Sequence, residues 1–273
     1  MTLTYLGTGA SEGWPGLFCS CAACQKAQKL GGHDLRRRCG ALLNQNLLLD
    51  LPPDLYAAKL ALSLDLGAVE HALVTHQHPD HFYPAMLANR RPPFAENAQL
   101  LTVYGNRFVG SGVEALLQEQ SDNGLELYLR YNLITPFEPF TAAGCTITPL
   151  LARHSAPESL VYLIEFGGKR LLYAHDTGLF LDETWEYLSG AHLDLVSLDC
   201  NNGPTCSEYS GHMGFIENRI VKERLLSSGA CDAETVFIIS HFSHGGGMCH
   251  DDMRASVEPD GFIVAYDGMT VKI

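Results

Sequence analysis

Short apolar runs separated by turn residues dominate the chain. Thr2-Leu3-Thr4-Tyr5-Leu6 has the two-residue period of a half-buried strand and breaks at Gly7-Thr8-Gly9. Leu42 to Leu51 reads as a hairpin turning at Asn44-Gln45-Asn46, and Asp54 to Leu64 as a helix with Leu55, Ala58 and Leu62 on one side. Ala72-Leu73-Val74 is a short buried strand. The pattern predicts helices over Pro84 to Arg91, stopped by Pro92-Pro93, and over Gly112 to Gln120. Strands are predicted at Leu100 to Tyr104, Leu125 to Asn132, Cys145 to Ala152, Leu160 to Phe166 and Arg170 to Tyr173, the last two joined by Gly167-Gly168. Leu193 to Leu198, Val236 to Ile239 and Phe262 to Val264 complete the strands. Gly214 to Ser227 reads as an amphipathic helix with Ile216, Ile220, Val221 and Leu225 on its inner face. Hairpins and helices alternate with no linker, repeat or low-complexity tract, which predicts two mixed sheets packed together with helices outside, in one domain over residues 1–273.

Composition narrows the class. The chain has 273 residues, 46% hydrophobic and 18% charged, long enough to bury a core without disulfides and unlike disordered, collagenous or coiled-coil sequences. A net charge of −13 argues against stable nucleic-acid binding and against an anionic membrane, since both reward clustered Lys and Arg. No apolar run reaches the length of a membrane span, and Met1 leads into a strand pattern, not a secretory signal. The expectation is a soluble, cytoplasmic α/β protein, with self-association into a homodimer left open. Arg36, Arg37 and Arg38 form the one dense basic cluster, suited to a substrate phosphate or to plain solvation. The stretch from Arg90 to Pro139 is expected near the mouth of a site but carries no interpretable motif.

Histidine and cysteine change the picture most. The twelve His are uneven, with His76, His78 and His81 together and His241, His244 and His250 in a second group. Thr75-His76-Gln77-His78-Pro79-Asp80-His81 follows an apolar strand and so emerges as a loop, where a rigid scaffold presents reactive groups. While the chain stays extended, His76 and His78 point the same way; Pro79 then turns it, so Asp80 and His81 approach from another direction. Three imidazoles and a carboxylate are a donor set for Zn²⁺, Mn²⁺ or Fe²⁺.

His76-Gln77-His78-Pro79-Asp80-His81 resembles the HxHxDH signature of the metallo-β-lactamase superfamily of metal hydrolases. The resemblance spans nearly the whole chain and implies a four-layer αββα sandwich of two mixed sheets flanked by helices. It further implies that His154, Asp176 and His241, each after an apolar strand, complete the site. His76, His78 and His154 would then hold one divalent ion, Asp80, His81 and His241 a second, with Asp176 between them. Zn and Mn fit these ligands alike. Two such ions can share a hydroxide at neutral pH, polarise the attacked group and steady the leaving oxygen. His175, beside Asp176, is expected to face away from the centre and to pack.

The nine Cys are odd in number, and Cys19-Ser20-Cys21-Ala22-Ala23-Cys24 sets three soft donors on one tight turn. A structural zinc needs a fourth ligand, for which the sequence offers Cys39, Cys206, His244, Cys249 and His250. This knot after Leu6-Gly7-Thr8-Gly9 is similar to the branch of the superfamily containing the phosphodiesterase of the bacterial carbon–phosphorus lyase (phosphonate) pathway. That resemblance implies one structural zinc on Cys19, Cys21, Cys24 and His244. It also makes His212, in Ser210-Gly211-His212-Met213-Gly214, a candidate proton donor to the leaving alkoxide, counted with Asp80 as catalytic. Three bound divalent ions and three thiolates would move the formal charge from −13 only to about −10. The expected activity is therefore hydrolysis of small phosphodiesters, cyclic ribose or nucleoside phosphates included. A transfer-RNA nuclease is disfavoured because no long basic arm is evident. Carbon-centred hydrolysis of a thioester, lactone or lactam is the alternative, as is a metal-binding accessory protein of cofactor biosynthesis without fast turnover.

Overall fold

The computed structural model describes residues 1–205 and 211–273; Cys206 and Ser210, named above, lie outside them. The chain runs β1 (Thr2–Gly7), α1 (Ala22–Leu30), β2 (Gly40–Leu43), β3 (Leu47–Leu49), α2 (Leu55–Leu62), β4 (His71–Leu73), β5 (Leu101–Gly105), α3 (Arg107–Glu119), β6 (Leu129–Leu133) and β7 (Phe140–Ala142). It continues through β8 (Cys145–Leu151), β9 (Leu160–Phe166), β10 (Lys169–Ala174), α4 (Asp182–Leu188), β11 (Leu195–Asp199), α5 (Phe215–Ser227), β12 (Val236–Ser240), α6 (His250–Val257), β13 (Phe262–Val264) and β14 (Thr270–Lys272). Two seven-stranded sheets result, ordered β14-β1-β2-β3-β4-β5-β6 and β13-β12-β11-β10-β9-β8-β7. Each is antiparallel over its hairpins and parallel from β3 to β6 or from β10 to β13.

Alternation decides which layer each side chain joins. On β10, Leu171 and Tyr173 point between the sheets, where they meet Leu3, Tyr5, Leu43, Leu73, Tyr162 and Ile238, while Leu172 and Ala174 face outward. The outer face of the first sheet is covered through Leu55 and Ala58 of α2 and Val109, Val113 and Leu116 of α3. That of the second is covered through Ala27, Trp185, Val221, Leu225 and Met253 of α1, α4, α5 and α6. The expected order of helix, sheet, sheet, helix is the observed one.

The turn at Asn44-Gln45 has both residues at positive φ, 49° and 65°, which matches the twist of the flanking antiparallel strands. Several boundaries move. Helix α3 begins five residues before Gly112, because the Asn106 side chain accepts from the backbone N–H groups of Phe108 and Val109, both at 3.0 Å. Leu125–Leu127 is a 3₁₀ turn, not strand, and Pro84–Arg90 is likewise 3₁₀. Helix α5 differs most. It buries Phe215, Asn218, Val221 and Leu225, leaving Ile216 and Ile220 exposed, because Asn218 is drawn inward to donate to the carbonyls of Asp199 and Gly214.

The basic triplet fastens the chain, Arg36 from the interior and Arg37 and Arg38 from the partly exposed surface. Arg36 is buried, donating to Thr8 Oγ1 and the Ala265 carbonyl at 2.8 and 2.7 Å, lying over the Phe242 ring and meeting His250 Nδ1 at 3.1 Å. Arg37 donates to the Leu6 carbonyl, and Arg38 pairs with both carboxylate oxygens of Asp54 while donating to the Ser11 carbonyl. This segment approaches β1 so closely that a Cβ on Gly7 would collide with the Arg38 carbonyl. Arg36→Met should leave the Ala265 carbonyl and His250 Nδ1 without their buried donor, Thr8 keeping its bond to Asp267, and cost about 3 kcal/mol. The urea midpoint should fall accordingly with an unchanged slope.

Candidate metal centre

The parallel strands of both sheets deliver their C-terminal ends to one edge, the usual place for a site in such sheets. The first sheet sends out the loop carrying His76, His78, Asp80 and His81 after β4. The second sends His154 after β8, Asp176 after β10 and His241 after β12. Asp176 and His241 have φ of 51° and 62°, a left-handed backbone that turns each side chain sharply out of its strand.

The seven donors converge. Ligand atoms of His76, His78, His154 and Asp176 lie within 4.8 Å of one another, as do those of Asp80, His81, Asp176 and His241. Asp176 is common to both groups. Its Oδ2 is 2.8 Å from His81 Nε2 and 3.2 Å from His76 Nε2, and its Oδ1 is 3.1 Å from His241 Nε2.

The chemistry of the donors fits cations better than it fits hydrogen bonds. His81 Nε2 faces His241 Nε2 at 3.3 Å, and His154 Nε2 faces His78 Nδ1 at 3.3 Å, so in each pair two ring nitrogens converge on a space that one proton or one cation can fill. His76 Nε2 and Asp176 Oδ1 are buried and make no hydrogen bond of acceptable geometry. Outer partners fix the rings in the required sense. His81 Nδ1 meets Asp50 Oδ2 at 2.8 Å, His76 Nδ1 meets Thr75 Oγ1 at 3.0 Å, His154 Nδ1 meets the Gly211 carbonyl at 3.2 Å, and His241 Nδ1 meets Asp199 Oδ2 at 3.2 Å. Each contact leaves the second nitrogen to face the centre. Burial raises the Asp176 pKa, but the charges of His241 and His81 outweigh it and hold the carboxyl well below its usual range.

His212 stands at the rim. Its Nδ1 is 3.0 Å from Asp199 Oδ2 and 3.3 Å from Asp176 Oδ1. Burial disfavours its charged form, yet the charge of Asp199 and its hydrogen bond, with Asp176 behind them, lift the pKa to about 9. The opening is a cavity of about 260 Å³ lined by Ser11, His78, Asp80, His154, Ser155, Asp176, Asn201, His212 and His241, polar side chains throughout. The Arg90 to Pro139 stretch supplies none of these. Its β5 pairs with β4, and Asn106 and Arg107 bond to Glu158 in the loop that follows His154.

His175 points away from the donors, as alternation requires. Its Nδ1 meets Cys39 Sγ at 3.0 Å and its Nε2 meets Ser197 Oγ at 2.8 Å, and burial pushes its pKa down to about 3.

The second cluster is Cys19, Cys21, Cys24 and His244, whose ligand atoms also lie within 4.8 Å of one another. Cys24 sits in the first turn of α1, so the knot is a loop closing onto a helix, not a single turn. The backbone N–H of Cys24, then the Cys19 thiol, lowers the Cys21 pKa to about 6, favouring the thiolate that a zinc would need. A Cβ on Gly16 would sit 3.1 Å from Cys19 Cβ and 3.3 Å from the His244 ring, so a larger residue there would press on the cluster. Among the other fourth-ligand candidates, Cys39 is engaged by His175 and His250 by Arg36.

Sequence reasoning overlooked Asp50 and Asp199, which hold His81 and His241 from behind. Both follow apolar strands, Leu47-Leu48-Leu49 and Leu195-Val196-Ser197-Leu198, the same placement that marks Asp176. Ser11, Ser155 and Asn201 at the mouth carried no sequence signal.

The fold and the donor arrangement define a metallo-β-lactamase-fold protein, and the chain belongs to the β-lactamase superfamily: residues 45–225 match the family described as the beta-lactamase superfamily domain. A diphosphatase of the PhnP family is similar over 100% of this chain and 97% of its own, at 22% identity and a TM-score of 0.75. Zinc-bound PqqB from Methylobacterium extorquens is similar over 100% of both chains, at 19% identity and a TM-score of 0.76. The short form of human tRNase Z covers 100% of this chain and 99% of its own, at 15% identity and a TM-score of 0.67. An octanoyltransferase from Porphyromonas gingivalis is 28% identical over 172 residues, 60% of this chain and 33% of that protein. The chain thus spans about a third of that relative's length. No helix among the described residues is long and apolar enough to cross a membrane.

Proposed function

We propose that the chain is a binuclear metal-dependent phosphodiesterase acting on small phosphodiesters, cyclic ribose or nucleoside phosphates among them, with a structural zinc on Cys19, Cys21, Cys24 and His244. The observation that carries this reading is the pair of four-donor groups sharing Asp176 and opening beside His212. His76, His78 and His154 would hold one divalent ion, and Asp80, His81 and His241 the other, with Zn and Mn both suited to the set. When bound, such a pair supplies Lewis acidity and readies water at neutral pH.

The chain's own groups do the rest. Asp176 sets negative charge between the two ligand groups and, with Asp80, limits the site's net positive charge. Hydrolysis adds water across one P–O ester bond: the water oxygen joins phosphorus, and the departing alkoxide takes up a proton. His212, with Nδ1 turned to the carboxylates, is placed to give that proton from Nε2. Ser11, Ser155 and Asn201 offer hydroxyl and amide groups to a sugar or to the phosphate. A mouth lined by polar side chains suits a small hydrophilic anion better than an acyl chain, which favours phosphorus over carbon as the attacked atom.

The test is a substrate panel with metals restored: bis(p-nitrophenyl) phosphate and 2′,3′-cyclic nucleotides against a thioester, a lactone and a lactam. Turnover of the phosphodiesters is expected. Cleavage of a carbon-centred substrate alone would overturn the substrate assignment, and a metal-loaded protein inert on the whole panel would point to an accessory role.

A further inference from the structure

The seam between the two sheets is apolar along most of its length, but behind the metal centre it holds a run of polar side chains. His175 follows β10 and lies on the same face as Leu171 and Tyr173. Its Nδ1 is 3.0 Å from Cys39 Sγ, in the segment that enters β2 of the first sheet, and its Nε2 is 2.8 Å from Ser197 Oγ on β11 of the second. Ser197 Oγ is in turn 2.7 Å from the Tyr5 hydroxyl on β1, which returns the run to the first sheet. The Tyr173 ring flanks the imidazole with centroids 4.1 Å apart, and its hydroxyl is 3.8 Å from Cys39 Sγ. Tyr5, Cys39, Tyr173, His175 and Ser197 are all wholly buried. A thiol beside an imidazole has the makings of a nucleophile, but no substrate reaches this one.

We propose that His175 is a positioning residue for the metal centre, a strut whose two ring nitrogens set the register of one sheet against the other directly behind Asp176. The inference rests on the binuclear reading above. His76, His78, Asp80 and His81 are carried by the first sheet and His154, Asp176 and His241 by the second, so a small slide of the layers parts the two sets of donors. Apolar side chains fill such a seam without fixing its register, because burial has no direction; hydrogen bonds weaken steeply with distance and angle and so do fix it. A neutral imidazole has an N–H on one nitrogen and a lone pair on the other, which lets His175 join Cys39 and Ser197 at once. Polar groups satisfied in this way in a dry interior specify a single arrangement. Asp176 itself turns on a left-handed backbone, φ 51°, and the anchored ring one residue earlier holds the strand end from which that turn starts.

The experiment titrates Mn²⁺ into the active site, with zinc kept in the cysteine cluster, and compares the parent with His175→Leu and with the pair Tyr5→Phe, Ser197→Ala, which removes both partners of the other crossing. Val113→Ala, which thins the outer layer of the first sheet, is the control for a general loss of stability. Three quantities are read on each: Tm before loading, the free Mn²⁺ needed to fill the second position, and the electron paramagnetic resonance signal of a coupled Mn²⁺ pair. His175→Leu should need about 10- to 100-fold more Mn²⁺ and show little coupled signal at the concentration that saturates the parent, and the pair should need about tenfold more. Val113→Ala should lower Tm and leave Mn²⁺ affinity and the coupled signal as in the parent. A lower Tm in His175→Leu with unchanged affinity and signal would make the residue plain packing and overturn the proposal, the binuclear reading standing. A parent that takes up no second Mn²⁺ would remove that reading and this inference with it. Should His175→Leu not fold, the Tyr5→Phe, Ser197→Ala pair decides by the same criterion.

Discussion

Asp176→Ala is expected to lower kcat/KM on phosphodiesters at least about a thousandfold and to reduce active-site metal from about two ions per chain to one or fewer. Among the described residues Asp176 is the donor common to both ligand groups: its two oxygens lie 3.1 to 3.3 Å from nitrogens of His76, His241 and His212, and 2.8 Å from His81. In the proposed two-ion centre, removing the carboxylate would take away a ligand to each ion and the negative charge that would let two cations approach each other. Asp176→Asn separates these causes, since it keeps the shape and loses the charge. Metal analysis and turnover on the same samples, with circular dichroism to verify the fold, provide the check. Full metal content and activity within tenfold of the parent in the Ala variant would contradict a shared-carboxylate centre.

Cys21→Ser should show the second large effect, this time on folding. Zinc should fall by about one ion per chain and Tm by about 10 °C, with no recovery on adding zinc. The expected loss follows from what the knot ties down. Cys21 Sγ and Cys19 Sγ lie 3.5 and 3.9 Å from His244 Nδ1, and the chain between His241 and His244 is bonded on both sides, with Phe242 exchanging backbone hydrogen bonds with Thr8 and Ala10. A His244 released from the thiols loosens the residue three positions before it, so activity should fall about tenfold even with the first-named cluster loaded. Zinc analysis and a thermal melt of the purified variant test this. An unchanged Tm in a zinc-depleted variant would show that the knot holds nothing up.

Much of this was legible because strands announce themselves locally. The β9 and β13 boundaries coincide with their apolar runs, and the seven donors are all found at or just beyond the ends of such runs. What the chain hides is set by distant partners. Ile216 and Ile220 satisfy a helical period as well as Val221 and Leu225 do, and only the pull of the Asp199 carbonyl on Asn218 decides which side of α5 turns inward. Arg36 looks like a surface cation until Thr8, Phe242, His250 and Ala265, most of them more than two hundred residues away, enclose it. Helices α4 and α6 and strands β7 and β14 are short, and they draw their stability from packing that periodicity does not reveal.

The donors also come from different layers: four from the loop after β4 in one sheet, and three from strand ends of the other. Within each sheet the strands are laced by backbone hydrogen bonds, and the layers are joined chiefly by apolar contact and by a few cross-ties, such as Leu160 N–H to the Thr75 carbonyl at 3.0 Å and Phe242 with Thr8 and Ala10. A cation pair seated across that seam would act as a rivet as well as a reagent. Taking it out would leave the cross-ties at Thr75 and Phe242 to hold the two leaves together at this edge.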